Sequence, residues 1–141
     1  MAIRLGMEAK LLYKAGGQAG AGSWVVMGNT KDVTLNLEAG EADVTTRANS
    51  GWRATVATLK EASVEWEMVW DTADAGFTAV KNSFFDNEPI GLQILDETDG
   101  QGLQADFSIT NFSRSEALEE AITVSVTAKV TYSATAPTWI G

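Results

Sequence analysis

A chain of 141 residues with 45% hydrophobic and 21% charged side chains has the size and composition of one folded domain, 1–141, not of a disordered polymer. With 0 His and 0 Cys, disulfides, thiol nucleophiles, thiolate or imidazole metal sites and the commonest acid-base side chain near neutral pH are excluded. The 10 basic against 19 acidic side chains give a net charge of -9, which repels the phosphates of nucleic acid and of anionic membranes. Residues 11–14 are a short strand candidate, and 15–29 read as a long Gly- and Ala-rich loop. That loop holds Trp24, Val25, Val26 and Met27, large apolar side chains of the kind that mark a contact surface. Its Gly17 to Ser23 spacing mimics a phosphate loop but lacks the Lys that would hold the terminal phosphates, so it reads as a plain loop.

Residues 32–38 alternate, with Val33, Leu35 and Leu37 on one side, and Ala39, Gly40 and Glu41 separate them from 42–47; that spacing reads as a hairpin. A second long loop is expected at 48–60, with Trp52 beside a turn. In 63–70, Val64, Trp66, Met68 and Trp70 share one face. A helix follows, capped by Asp71 or Thr72 with Asp74 in its first turn; Phe77, Val80 and Phe84 form its apolar face, and Asn87 and Pro89 stop it. Residues 90–95 form a short strand, 103–110 another with Leu103, Ala105, Phe107 and Ile109 inward, and Phe112 on the wrong parity implies a bulge or strand end near Asn111. Ser113 and Glu116 fit a capping box for a single helical turn. The clearest strand is 122–132, where Ile122, Val124, Val126, Ala128, Val130 and Tyr132 alternate with polar residues. The fold class is therefore mainly β: an antiparallel β-sandwich or partly open barrel with one flanking α-helix.

No catalytic constellation emerges. Asp96, Glu97 and Asp99 crowd a turn, but the calcium-loop pattern would need a Glu where Phe107 stands. Glu65 and Glu67 share one strand face and read as a solvated acidic stripe, not a glycosidase pair, because nothing nearby separates their pKa values. No catalytic residue, cofactor or metal is expected.

The segment DVTLNLEAGEADVTTRANSGWRATVATLK, then SVEWEMVWDTADAGFTAVKNSFF, then QADFSITNFSRSEALEEAITVSVTAKVTYSA resembles the major tail tube proteins of long-tailed bacteriophages over about residues 30–135. The resemblance implies a structural protein that assembles as hexameric rings, stacked into a tube through which DNA passes, related to the tubes of contractile tails and type VI secretion. It implies self-association, tape-measure and tail terminator or initiator proteins as partners, and DNA only as non-specific cargo. No added C-terminal decoration domain is expected after the last strand. The acidic charge fits, because a basic lumen would bind phosphates and stall the genome. So do sheets wet on one face and loops with apolar anchors.

On this reading Asp32, Asn36, Asp43, Gln104, Asp106, Ser108, Thr123, Ser125 and Thr127 are expected to face the channel, with Lys129 near a rim or paired with a neighbouring carboxylate. Trp24, Val26 and Trp52 are expected to anchor contacts between rings. The N-terminus lacks the apolar core of a secretory signal and no run approaches the ~20 apolar residues of a membrane span. The expected location is a virion tail assembled in host cytoplasm, without membrane binding. A rival reading is a carbohydrate- or protein-binding β-sandwich module that presents Trp24 and Trp52 as platforms.

Overall fold

The computed structural model describes residues 3–20 and 22–141; Ala21, within the 15–29 segment, lies outside them, as do Met1 and Ala2. The strands are β1 (Lys10–Ala15), β2 (Val25–Val26), β3 (Thr30–Asp43), β4 (Thr55–Val69), β5 (Ile90–Leu95), β6 (Gly102–Ser115), β7 (Thr123–Val130) and β8 (Thr138–Ile140), with the helix α1 (Ala75–Asp86) between β4 and β5. They form one antiparallel sheet in the order β2-β1-β5-β6-β7-β4-β3, and β8 pairs with the start of β6. The fold is mainly β with one flanking helix, in the open form of the expected architecture.

Strict alternation decides which face is dry. Leu11 and Tyr13 on β1, Ile90 and Leu92 on β5, Phe107 and Ile109 on β6, Val124, Val126 and Ala128 on β7, and Val64, Trp66 and Met68 on β4 all fall on one face and are buried. Met27, just past β2, joins them, tied by its N–H to the Leu11 carbonyl at 2.8 Å. Fully enclosed side chains such as Phe107, Met68 and Leu92 each contribute about 1.5–3 kcal/mol.

The helix lies on this dry face with Phe77 and Val80 buried. Phe77 meets Trp70 edge-on at 4.7 Å between centroids and Phe112 at 6.0 Å, so an aromatic cluster forms where β6 is bulged. The cap is Asp74, whose carboxylate accepts from the Phe77 N–H at 2.9 Å, and not Asp71 or Thr72. Asp71 is already engaged one turn earlier, accepting from Ala73 N–H at 3.0 Å. Asn87, in the left-handed region at φ 55°, ends the helix as expected.

The structure corrects four further expectations. Residues 32–47 are not a hairpin: β3 continues unbroken to Asp43, and the register shift between Ala39 and Glu41 sets Gly40 alone opposite Thr58 and Leu59, a bulge carried by β4. A Cβ at Gly40 would stand 2.5 Å from Thr58 Oγ1, so the bulge has no room for one. The second loop is 44–54, not 48–60, because Thr55 already pairs with Asp43. No helical turn starts at Ser113, which stays in the ladder opposite Ser125. Tyr132 has left the strand and is 93% exposed. The shift expected near Asn111 is present, between Ile109 and Asn111.

Candidate functional site

The opposite face of the sheet divides into a covered part and an open part. Residues 16–20 lie over the outer side of β5 and β6, where Asp106, 6% exposed, accepts from the buried Gln18 N–H at 2.6 Å and from the Ser133 hydroxyl. Gln104 receives a bond from Gln93 Nε2 at 2.6 Å and donates to Gln18 Oε1 at 3.0 Å; Gln18 Nε2 in turn reaches the Thr135 carbonyl at 3.3 Å. Asp106 and Gln104 therefore leave the set of channel-facing candidates. They have the right parity, but two segments of their own chain cover them and use their hydrogen-bonding capacity.

Trp24 is half-buried in the same layer. Its ring lies against β5 at Gly91, where an added Cβ would sit 2.9 Å from Trp24 Cη2 and 3.1 Å from Gln18 N, and Lys14 Nζ stands 5.7 Å from the ring centroid. Gly91→Ala is accordingly expected to lift this loop and cost about 1–3 kcal/mol. Hydrogen exchange should rise in residues 17–24, and unchanged exchange there would refute the close packing. Val26, on the edge strand opposite Leu12, is 50% exposed.

The open part spans β3, β4, β7 and the second half of β6. Its rows run across the strands: Asn36, Ser63, Lys129, Ser108; then Thr34, Glu65, Thr127, Asn111; then Glu67, Ser125, Ser113. Thr123 opens β7 opposite Val69 and Ser115, half-buried, and Asp32 is exposed at the start of β3. Glu38 and Glu61 face each other across the next pair. The face is thus small, hydroxylic and acidic, with the exposed Lys129 in mid-row between Ser63 and Ser108. Among the described residues Lys129 makes no ion pair, so the expected carboxylate pairing within the chain is not formed. Glu38, Glu61, Glu65 and Glu67 are carboxylates of this open face that the sequence reading did not select, although the Glu65 and Glu67 stripe was visible in the period of two.

Beyond Ser63, β4 has only β3 for a neighbour, so β3 and β4 project as an arm with both faces wet. Leu37 at 54%, Val56 at 51% and Leu59 at 85% exposure are left uncovered on it. Asp43 sits at its far end, where hydrogen bonds from Thr45 hold its carboxyl below the ordinary value. The tip is built, not loose: the Thr46 hydroxyl accepts from Ala48 N–H at 3.3 Å, Trp52 N–H donates to the Asn49 carbonyl at 3.0 Å, and the Thr45 hydroxyl accepts from Ala54 N–H at 2.9 Å and donates to the Ala54 carbonyl at 3.3 Å. It presents Trp52 at 78% exposure.

Among the described residues no cluster of three or more Asp or Glu could hold a metal ion. Asp96 is used by Gln101 N–H at 2.8 Å and Glu97 by Arg4 at 2.8 Å, which makes the acidic turn structural.

The model of the family described as "Phage tail tube protein" matches residues 8–135. Among solved structures, the chain is similar to a subunit in the tail of an empty gene transfer agent particle with sixfold symmetry, at 20% identity and a TM-score of 0.79 over 99% of this chain and 100% of that one. It is also similar to the SPP1 tail tube, at 17% identity and a TM-score of 0.77 over 99% and 80%. A third similar chain, from the baseplate of an anti-feeding prophage, shares 6% identity at a TM-score of 0.65 over 100% and 97%. No curated protein matches the chain.

Proposed function

The chain belongs to the phage tail tube protein family, and from that premise we propose that its copies close into six-membered rings that stack into a tube conducting DNA. Its role is structural, not enzymatic. The observation that carries the finer reading is the polar face across β3, β4, β7 and β6, acidic and hydroxylic with Lys129 as its one cation among the rows described. A wall of this kind holds a water layer and repels phosphate, so a duplex slides without charge-assisted contacts. Asn36, Ser108, Ser125, Thr127 and Asp32 line the lumen with the four Glu residues, and Thr123 stands at its margin. Asp43 belongs to the arm.

Two free edges support ring closure. Among the described residues the outer edge of β3 is unpaired, and β5 pairs β6 only from Gly102 to Phe107, so the rest of β6 is open on that side. Joining the β3 edge of one copy to the open β6 edge of the next continues the polar face and satisfies backbone groups that would otherwise invite random pairing. Val26 and the outer part of Trp24 at one edge of the sheet, and Trp52 at the arm tip, provide apolar contact between rings. A tape-measure protein inside the tube, and initiator and terminator proteins at its ends, complete the set of partners, and the assembled location is the virion tail.

The sugar-platform alternative lacks support, since Trp24 is packed on β5 and Trp52 stands apart on the arm tip. Electron microscopy of the purified chain at rising concentration, with and without preformed tube seeds, tests the proposal. Sixfold rings or tubes with a central channel are the expected result; a monomer under all these conditions would overturn it.

A further inference from the structure

The loops at the two ends of β4 carry opposite charge. Residues 44–54, at the arm tip, contain Arg47 and Arg53 and no Asp or Glu, in a chain whose net charge is -9. At the other end, residues 116–120 contain Glu116, Glu119 and Glu120 around Leu118, which is 100% exposed. Glu116 is partly engaged by Arg114 at 3.5 Å, and that guanidinium also lies 5.0 Å from the Trp70 ring centroid. Among the described residues Glu119 and Glu120 form no ion pair.

The register separates the two features. The tip follows the Asp43 to Thr55 pair, whereas the acidic loop joins Ser115 to Thr123, opposite Val69 at the far end of β4. Fifteen residues of strand extend about 50 Å at ~3.3 Å per residue, so tip and loop of one chain cannot meet. Both present an uncovered apolar side chain beside charges of opposite sign. A contact between them can form only between copies, and because it joins two different patches it runs head to tail, an arrangement that extends from copy to copy when its rotation does not close a ring.

We propose that the arm tip of one copy docks on the 116–120 loop of another, Trp52 against Leu118 and Arg47 and Arg53 facing Glu119 and Glu120, and that this contact stacks one ring on the next. The proposal rests on the tube reading and names the partner surface for Trp52. The ordered tip keeps the entropic cost of docking low, and the charge pairs fix its register.

The test is a charge-swap cycle read as the concentration needed for tube formation, by sedimentation and electron microscopy. Arg47→Glu with Arg53→Glu, and separately Glu119→Arg with Glu120→Arg, are expected to raise that concentration at least about tenfold. The four changes together are expected to restore it to within about threefold. All four side chains are exposed, so thermal unfolding of the unassembled variants should match that of the parent chain. If the parent forms tubes and either double variant assembles as well as it does, or the fourfold variant fails to recover, the docking is wrong and the tube reading stands. If the parent forms no tubes, both fall.

Discussion

Asp106→Ala should lower the stability of the unassembled chain by about 3 kcal/mol, or about 10 °C in Tm, the largest effect of any polar substitution in the sheet. The carboxylate is 6% exposed and serves two segments remote in sequence, accepting from Gln18 N–H and from the Ser133 hydroxyl, while its own carbonyl takes the Thr131 N–H at 3.1 Å. Bonds to a charged acceptor contribute about 1.5–3 kcal/mol, and the truncation also leaves the buried Gln18 N–H without a partner. Asp106→Asn keeps an acceptor oxygen and should lose about half as much. Asp32→Ala, at an exposed carboxylate, should stay within about 0.5 kcal/mol of the parent. Urea unfolding gives the energies, and hydrogen exchange should show residues 16–20 and 131–135 opening together. An Asp106→Ala chain as stable as Asp32→Ala would mean that the layer over β5 and β6 is held by something else.

That layer also marks where sequence reasoning stops. Strands with one dry face are legible because the period of two records the partition itself: 90–95 coincides with β5, and the inward residues of 103–110 are all buried. Parity assigns Asp106 to the outer face correctly, yet it carries no information about whether another segment returns to cover that face. The arm was illegible for the opposite reason. With both of its faces wet, Val56 and Leu59 show no consistent partition, and residues 55–60 look like loop. Gly40 is compatible with a turn or with a place opposite a bulge, and only the cross-strand register with β4 decides between them. Ser113 and Glu116 match a capping pattern, but pairing with Ser125 and Thr123 holds this stretch extended through Ser115. The three residues of β8 gain their strand character from β6 alone.

Glu65→Lys with Glu67→Lys should convert a tube that ignores DNA into one that retains it. The two side chains stand on β4 opposite Thr127 and Ser125, so reversal places no like charges in register and the sheet should tolerate it. Each chain moves from a net charge of -9 to -5, since two acids become two bases (-9 + 4 = -5), and in a sixfold ring the change is repeated around one level of the channel. A duplex in that channel then meets ammonium groups in place of carboxylates, and phosphate binding with release of counterions becomes favourable. Tubes of the variant should co-sediment with short duplex DNA and shield it from nuclease, whereas parent tubes do neither. The retained DNA should fall at least about tenfold between 50 and 200 mM salt, as several phosphate contacts per ring require. Asn82→Lys, on the exposed side of α1 and away from the polar face, adds positive charge outside the lumen and should give no nuclease-resistant DNA. Bound but nuclease-sensitive DNA on the Glu65 and Glu67 variant would place those residues on the outer wall. The channel would then be lined by other strands, because only enclosure by the tube separates shielding from simple adhesion.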